Sequence, residues 1–156
     1  MTLTVKSFLG GLLLITSAAV AQAESGLTVE QARAAIAPFY NALNVAADRD
    51  ASALVLQATA ESWESCSSDT ECKPRDKVAQ TIAGFGKAIP DLKWEIKELL
   101  VSGNQVIVRG EGSGTPAVDF MGVPHGGKSF TLMSIDIHTI EDGKMVGRLK
   151  PIPQPR

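Results

Sequence analysis

The clearest pattern in the chain is an alternation of side chains between Lys128 and Glu141. One set of alternate positions carries Phe130, Leu132, Ser134, Asp136, His138 and Ile140, and the other carries Thr131, Met133, Ile135, Ile137 and Thr139. Successive side chains of a β-strand lie on opposite faces, so the pattern predicts one long strand. The first face holds two titratable side chains between apolar ends, which is typical of a sheet that lines a ligand pocket. The second face is largely apolar, so it is also expected to be buried against another element or another chain.

The first half of the chain has helical patterns instead. Thr28-Val29-Glu30-Gln31 is a capping box, and apolar residues then follow at helical spacing to about Ala47. Asp50 is expected to cap a second, shorter helix. Pro74 is expected in the first turn of a third helix, which Pro90 ends.

From Leu92 onward the period changes to two, with Leu92, Trp94, Ile96 and Glu98 on one face. Gly103-Asn104 predicts a turn, and Val106 to Arg109 a strand that continues toward Gly114. Asp142-Gly143 predicts a hairpin turn after the long strand. Helices followed by hairpins predict an α+β domain with an antiparallel sheet. The glycines at 110, 112 and 114 do not lead into a helix, so we interpret them as strand twist and bulge and not as a nucleotide site.

The two ends of the chain differ from the middle. Lys6, an apolar run from Phe8 to Val20 and Ala21-Gln22-Ala23 predict a signal peptide over residues 1–23, and hence a periplasmic or secreted protein. Residues 24–146 suit one domain. Residues 147–156 form a proline-rich tail that cannot continue a strand, and we expect it to be disordered.

Charge and cysteine content exclude several classes of function. The chain has 15 basic and 17 acidic residues, a formal net charge of −2, so it lacks a basic field for nucleic acid or a membrane surface. Cys66 and Cys72 lie in a polar segment, which in an exported protein predicts a disulfide rather than two free thiols. Their spacing, with no histidine nearby, disfavours a metal site, and His125 and His138 lack a third ligand.

Beyond these local patterns, the chain resembles the SnoaL-like polyketide (ester) cyclase family. The resemblance runs from the helix at Thr28 to Val146 and is carried by Ile89-Pro90-Asp91-Leu92, the Gly103–Arg109 strand pair, the loop from Gly114-Thr115-Pro116 to Gly122-Val123-Pro124, Gly127-Lys128-Ser129-Phe130, and Ile135-Asp136-Ile137-His138 followed by Glu141-Asp142-Gly143-Lys144. It implies the nuclear-transport-factor-2-like fold, a cone-shaped barrel of a curved antiparallel sheet packed on N-terminal helices.

The resemblance also implies chemistry. Cyclases of this family close a polyketide ester by an intramolecular aldol reaction without a cofactor, using a carboxylate on the last strand and a histidine on the preceding one. Alignment of the Asp-Gly-Lys turns places Asp136 at the histidine position and Lys150 at the carboxylate position. Both catalytic identities therefore differ in this chain, and the last strand gives way to the proline-rich tail.

Two functional classes remain open for the predicted pocket. In the first, an enzyme without cofactor or metal uses Asp136 and His138 as an acid/base pair on a small carbonyl or ester compound. In the second, a non-catalytic protein binds a small apolar molecule, and the pair is only a structural hydrogen bond. The candidate substrate-binding residues, each of which could also be plain core, are Tyr40, Trp63, Trp94, Phe120, Met121, Phe130 and Ser134. The apolar face of Met133, Ile135 and Ile137 predicts a homodimer.

Overall fold

The secondary structure follows the predicted order of helices first and sheet second, with a short two-stranded ribbon inserted between the second and third helices. A computed structural model describes residues 26–44, 50–119 and 125–147. The helices are α1 (Val29–Ala42), α2 (Ala51–Ala58) and α3 (Arg75–Ala88). The strands are β1 (Glu64–Cys66), β2 (Cys72–Pro74), β3 (Lys93–Ser102), β4 (Gln105–Gly114), β5 (Phe130–Glu141) and β6 (Lys144–Val146). The predicted signal peptide, Phe120, Met121, Lys150 and the tail from residue 148 lie outside the described residues.

The main sheet has four antiparallel strands in the order β3-β4-β5-β6. It curls into a half-barrel against the helices, which confirms the predicted α+β class. The turn between β5 and β6 has positive φ at both Asp142 (50°) and Gly143 (73°), the backbone that a two-residue hairpin requires. The long strand begins at Phe130, two residues later than the alternation alone predicted.

Side-chain caps fix the starts of the first two helices. The Thr28 hydroxyl accepts from the Gln31 backbone N–H at 3.1 Å, and the Gln31 side chain accepts from the Thr28 N–H at 2.9 Å. Asp50 accepts from the Ala53 N–H at 2.9 Å. These contacts satisfy N–H groups that have no partner within the helix, and they confirm both predicted caps.

Helix α1 ends at Ala42, before the predicted end near Ala47. The chain turns at Leu43 and Asn44, and the Asn44 side chain pairs with the backbone of Trp94. Asn44 Nδ2 donates to the Trp94 carbonyl at 2.7 Å, and the Trp94 N–H donates to Asn44 Oδ1 at 2.6 Å. The side-chain amide thus acts as a short neighbouring strand for β3, and this long-range contact accompanies the early helix end.

Two further predictions about the elements are corrected. Pro74 is not in the first turn of α3. It is the extended last residue of β2, with ψ 153°, and caps the helix that begins at Arg75. A β-bulge between Ile96 and Glu98 shifts the register of β3. Glu98 therefore lies on the outer face, where it pairs with Arg109 at 3.1 Å, and not on the face that holds Trp94.

The hydrophobic core lies between the helices and the concave face of the sheet. Its fully buried side chains include Ile36, Val55, Val106, Val108 and Met145. The convex face is open, because Met133, Ile135 and Ile137 are each more than half exposed. The two faces of β5 are therefore divided as the alternation predicted, with Asp136 and His138 on the concave side.

Cys66 and Cys72 are joined in a disulfide, as predicted. The segment around them is not a plain loop, because β1 and β2 form an antiparallel ribbon in which the two cysteines are direct partners. Within the described part of the chain, no helix has the length and apolar character needed to cross a membrane.

Candidate functional site

A tyrosine hydroxyl connects the two titratable residues of β5. The Tyr40 hydroxyl donates to Asp136 Oδ2 at 2.8 Å and lies 2.9 Å from His138 Nε2. Tyr40 lies on the buried side of α1, near the end of the helix. Asp136 and His138 are thus brought together as the alternation predicted, and the contact between them passes through Tyr40.

The bridge fixes the direction of its two hydrogen bonds. A phenol has one hydrogen, so a hydroxyl that donates to the Asp136 carboxylate must accept from His138. Nε2 of His138 therefore carries the hydrogen in the neutral ring. Burial raises the pKa of Tyr40, and the negative charge of Asp136 raises it further, so Tyr40 keeps its proton. The order of donors runs from His138 through Tyr40 to Asp136.

Asp136 is held through one of its two oxygens. Besides Tyr40, the Ser134 hydroxyl donates to Oδ2 at 3.2 Å. Among the described residues, Oδ1 accepts no hydrogen bond. Ser134 and Asp136 are only half-buried, whereas His138 is buried. The carboxylate is therefore oriented by two hydroxyl groups and leaves its second oxygen available on the concave face.

Trp94 forms the neighbouring wall of this face. The indole lies flat on β4, where Gly110 and Gly112 leave room for it. A Cβ at residue 110 would come within 2.7 Å of the Trp94 Nε1 atom and 3.1 Å of the Ser134 Oγ atom, and one at residue 112 would overlap the six-membered ring. From the sequence we interpreted these glycines as a site of strand twist and a bulge. In the structure Gly110 and Gly112 instead make room for an aromatic side chain, and the bulge is on β3.

The remaining predicted pocket residues lie elsewhere. Trp63 is buried beside Phe39, with ring centroids 5.7 Å apart, and Phe39 in turn packs at 6.0 Å from His138. Phe130 is half-buried at the start of β5, opposite Gly114. His125 is exposed in its loop and bonds to Asp119 at 2.9 Å. The structure therefore groups Tyr40, Trp94 and Ser134 directly with the acid/base pair. Trp63 lies on the side of His138, with Phe39 between them, and Phe130 is separate from the pair.

A recess lies between the disulfide ribbon and strands β4 to β6 of the sheet. It has a volume of about 420 Å³, and its lining residues are Trp63, Glu64, Cys66, Gln105, Ile135, Ile137, His138, Thr139 and Val146. Glu64 and both cysteine sulfurs lie close together there. Because the sulfurs are bonded to each other, they are not thiolates and do not offer metal ligands.

Comparison with known families agrees with this architecture. The model of the family described as SnoaL-like polyketide cyclase matches residues 34–150, which is most of the chain. The chain belongs to the SnoaL-like polyketide cyclase family. The resemblance noted in the sequence is thereby confirmed. A comparison with curated proteins gives no match.

Solved structures of SnoaL-like and related proteins share the fold. TsrD from Streptomyces laurentii superposes with a TM-score of 0.66 at 21% identity, covering 78% of this chain and 87% of that one. A proposed SnoaL-like polyketide cyclase from a Jannaschia species gives 0.65 at 16% identity, covering 78% and 83%. An epoxide hydrolase of M. tuberculosis, similar to LEH, gives 0.56 at 13% identity, covering 76% and 79%. At these identities the likeness concerns the fold alone.

Two residues that support the site were not found as site residues in the sequence. Asn44, which holds the backbone of Trp94, falls at the end of a helix and has no local signal. Phe39 packs against both Tyr40 and His138. It lies among the apolar residues at helical spacing in the first predicted helix, but the sequence did not predict its contact with β5. Both contacts depend on how α1 crosses the sheet, which local patterns do not specify.

The buried histidine predicts a pH dependence of stability. Burial lowers the pKa of His138, and the nearby charge of Asp136 opposes this effect. The unfolded chain, with a histidine pKa of about 6.5, therefore binds a proton more readily than the folded chain. Stability is then full above that pH and falls as the pH drops below it, by at most about 1.4 kcal/mol per pH unit for one proton.

Urea unfolding of the wild type and of His138→Gln, on both sides of about pH 6.5, measures this effect. We expect the wild type to lose stability toward acid more steeply than the variant over that interval. Equal slopes for the two proteins would contradict it.

Proposed function

We propose that this SnoaL-like protein is a cofactor-independent acid/base enzyme that acts on a small carbonyl or ester compound, by cyclisation or isomerisation. The family name concerns polyketide cyclases, and the family binds small-molecule substrates, which supports a cyclase or isomerase role. Asp136 is the proposed base. Tyr40 and Ser134 orient it, and His138 supports Tyr40.

The observation that carries this proposal is the arrangement around Asp136. Two hydroxyl groups hold Oδ2, at 2.8 Å from Tyr40 and 3.2 Å from Ser134. Held in this way, the carboxylate presents Oδ1 in a fixed direction without an entropic cost at the moment of reaction. A general base needs this combination of a fixed position and an oxygen that is not already engaged.

The proposed reaction conserves atoms. Oδ1 of Asp136 removes a proton from the carbon next to a carbonyl group, and the C–H electron pair moves to the carbonyl oxygen as an enolate. In a cyclisation, the enolate carbon then attacks a second carbonyl carbon of the same molecule and forms a C–C bond. The proton returns from Asp136 to the new alkoxide. In an isomerisation, the same proton returns to another carbon.

In this proposal Asp136 takes over the task that the family gives to a carboxylate on the last strand. The Asp-Gly-Lys alignment puts Lys150 at that position, and a lysine is protonated near neutral pH unless its pKa is strongly lowered. Asp136 is the carboxylate that shares the concave face with Tyr40 and His138, so the base has moved to the neighbouring strand.

Isotope exchange tests the proposal without knowledge of the natural substrate. Aryl ketones, β-keto esters and polyketide-like methyl esters are incubated with the protein in D₂O, and loss of the signal of the hydrogen next to the carbonyl is followed by NMR. We expect exchange above the buffer rate for at least one compound and, in ordinary water, products of unchanged mass for compounds that can cyclise. Compounds that bind but undergo neither exchange nor turnover would instead identify a non-catalytic binding protein.

We also propose a homodimer through the convex face of the sheet. Leu100 on β3 and Met133, Ile135 and Ile137 on β5 are each more than half exposed there, which is unusual for large apolar side chains on one face of a sheet. Ion pairs such as Lys97–Glu111 flank this apolar area. Light scattering at micromolar concentration is expected to give twice the chain mass, and a monomer mass would refute this proposal.

Export is proposed from the pattern of residues 1–23. The disulfide agrees with an oxidising compartment. Intact-mass measurement of the protein from its native compartment is expected to give a chain that begins at Glu24, and a chain that retains Met1 would contradict the cleavage.

A further inference from the structure

The indole N–H of Trp94 is a buried donor without a hydrogen-bond acceptor among the described residues. Such a group costs free energy comparable to a lost hydrogen bond, so native proteins contain few of them. The exception lies beside the proposed base and not in a remote part of the core. It therefore requires an explanation in terms of the site.

The surroundings of Trp94 are built to place this atom. Gly110 and Gly112 leave the space that the indole occupies, and the side chain of Asn44 holds the Trp94 backbone from the other edge of β3 at 2.6 and 2.7 Å. The arrangement fixes the ring plane and hence the direction of its N–H.

The Ser134 hydroxyl flanks the same position over Gly110 as the indole nitrogen. A Cβ on Gly110 would lie 2.7 Å from Trp94 Nε1 and 3.1 Å from Ser134 Oγ. Ser134 gives its single hydrogen to Asp136 Oδ2 at 3.2 Å, so its oxygen retains lone pairs that can accept. The structure records no hydrogen bond between the two groups, so their contact requires a rotation of the serine side chain.

We propose that Trp94 is a positioning residue for Asp136, acting through Ser134. After the serine rotates, the indole N–H donates to Ser134 Oγ, and the Ser134 hydroxyl donates to Asp136 Oδ2, as it already does in the structure. This chain is the counterpart of the one from His138 through Tyr40, so Oδ2 is held from two sides by hydroxyl groups that each accept from a ring N–H. The catalytic part of this inference rests on the proposed function of Asp136, but the hydrogen-bond chain itself does not.

The chain of donors is tested first by ¹H–¹⁵N NMR, which needs no substrate. The protein has two tryptophans, and Trp94→Phe and Trp63→Phe assign their indole signals. Ser134→Ala is expected to shift the Trp94 indole signal, and Asp136→Asn to shift it less, while the Trp63 signal stays in place. An unmoved Trp94 signal in Ser134→Ala would overturn the proposal.

Kinetics on a compound that shows exchange test the positioning role. Trp94→Phe keeps a ring on the two glycines but removes the N–H, and we expect kcat to fall several-fold with little change in KM. Because Trp94 acts through Ser134, the double variant with Ser134→Ala should be no slower than Ser134→Ala alone. Asp119→Asn, an exposed control outside the site, should retain wild-type kcat.

Additive losses in the double variant would overturn the positioning role, as would an equal loss in the Asp119→Asn control. If the wild type shows no exchange while the indole signal still responds to Ser134→Ala, the proposed function fails and the hydrogen-bond chain stands. The unfolding midpoint of each variant separates lost positioning from lost stability.

Discussion

Replacing Asp136 with asparagine is expected to lower turnover by about 100-fold or more while the protein remains folded. A positioned general base contributes typically about 10²- to 10⁴-fold to a rate, and an amide cannot accept the substrate proton. Asparagine keeps the size of the side chain, and its oxygen still accepts from Tyr40 and Ser134, which donate to Asp136 Oδ2 in the wild type. The fold therefore keeps both contacts and loses only the base.

The measurement combines turnover, ligand affinity and the unfolding midpoint for the wild type and Asp136→Asn. The matched control is Asp119→Asn, because Asp119 is an exposed carboxylate whose partner, His125, lies outside the site. We expect the control to retain turnover. Undiminished turnover in a folded Asp136→Asn protein would remove Asp136 from the reaction, and a large loss of stability with unchanged affinity would make it a structural residue.

The largest expected effect on stability comes from Gly112→Ala. A Cβ at this position would overlap the six-membered ring of Trp94, and Trp94 is tied through its backbone to Asn44. The indole must leave its seat on β4, and overpacking of this kind costs about 1–3 kcal/mol. We therefore expect the unfolding midpoint in urea to fall, and Trp94 to change its fluorescence.

Gly84→Ala is the matched control for this substitution. Gly84 lies in α3, and a Cβ there meets nothing within 4 Å. Alanine in a helix interior is favoured over glycine by roughly 0.5–1 kcal/mol, so this variant is expected to gain stability. A Gly112→Ala protein as stable as Gly84→Ala would show that the indole does not depend on the glycine seat.

The sequence predicted the parts of the fold that local geometry determines. The alternation in β5 follows from the two-residue period of a strand, so it separated the face of Asp136 from that of Ile135. The caps at Thr28 and Asp50 depend on contacts three residues apart, which are visible in the sequence. These features need no knowledge of the tertiary structure.

The site could be predicted only in part, because several of its contacts join residues that are distant in the sequence. The role of Tyr40 as a bridge depends on the crossing of α1 over β5, and no local pattern encodes that crossing. The glycines at 110 and 112 show that space is needed, but only the register of β3 against β4 reveals that Trp94 fills it. The bulge after Ile96 likewise moves Glu98 to the opposite face of β3 from the one that strict alternation predicts. A charged side chain at that position gives no local signal of the bulge.

The bridge between Tyr40 and β5 joins residues that are 96 and 98 positions apart in the sequence. A chain that has formed its helices but not its sheet therefore has no oriented carboxylate, since the residue that holds Asp136 belongs to the first helix. Small domains usually unfold as a single cooperative unit. A destabilising substitution elsewhere in the domain would then lower the fraction of folded molecules. Each molecule that remains folded would still hold Asp136 in the same orientation.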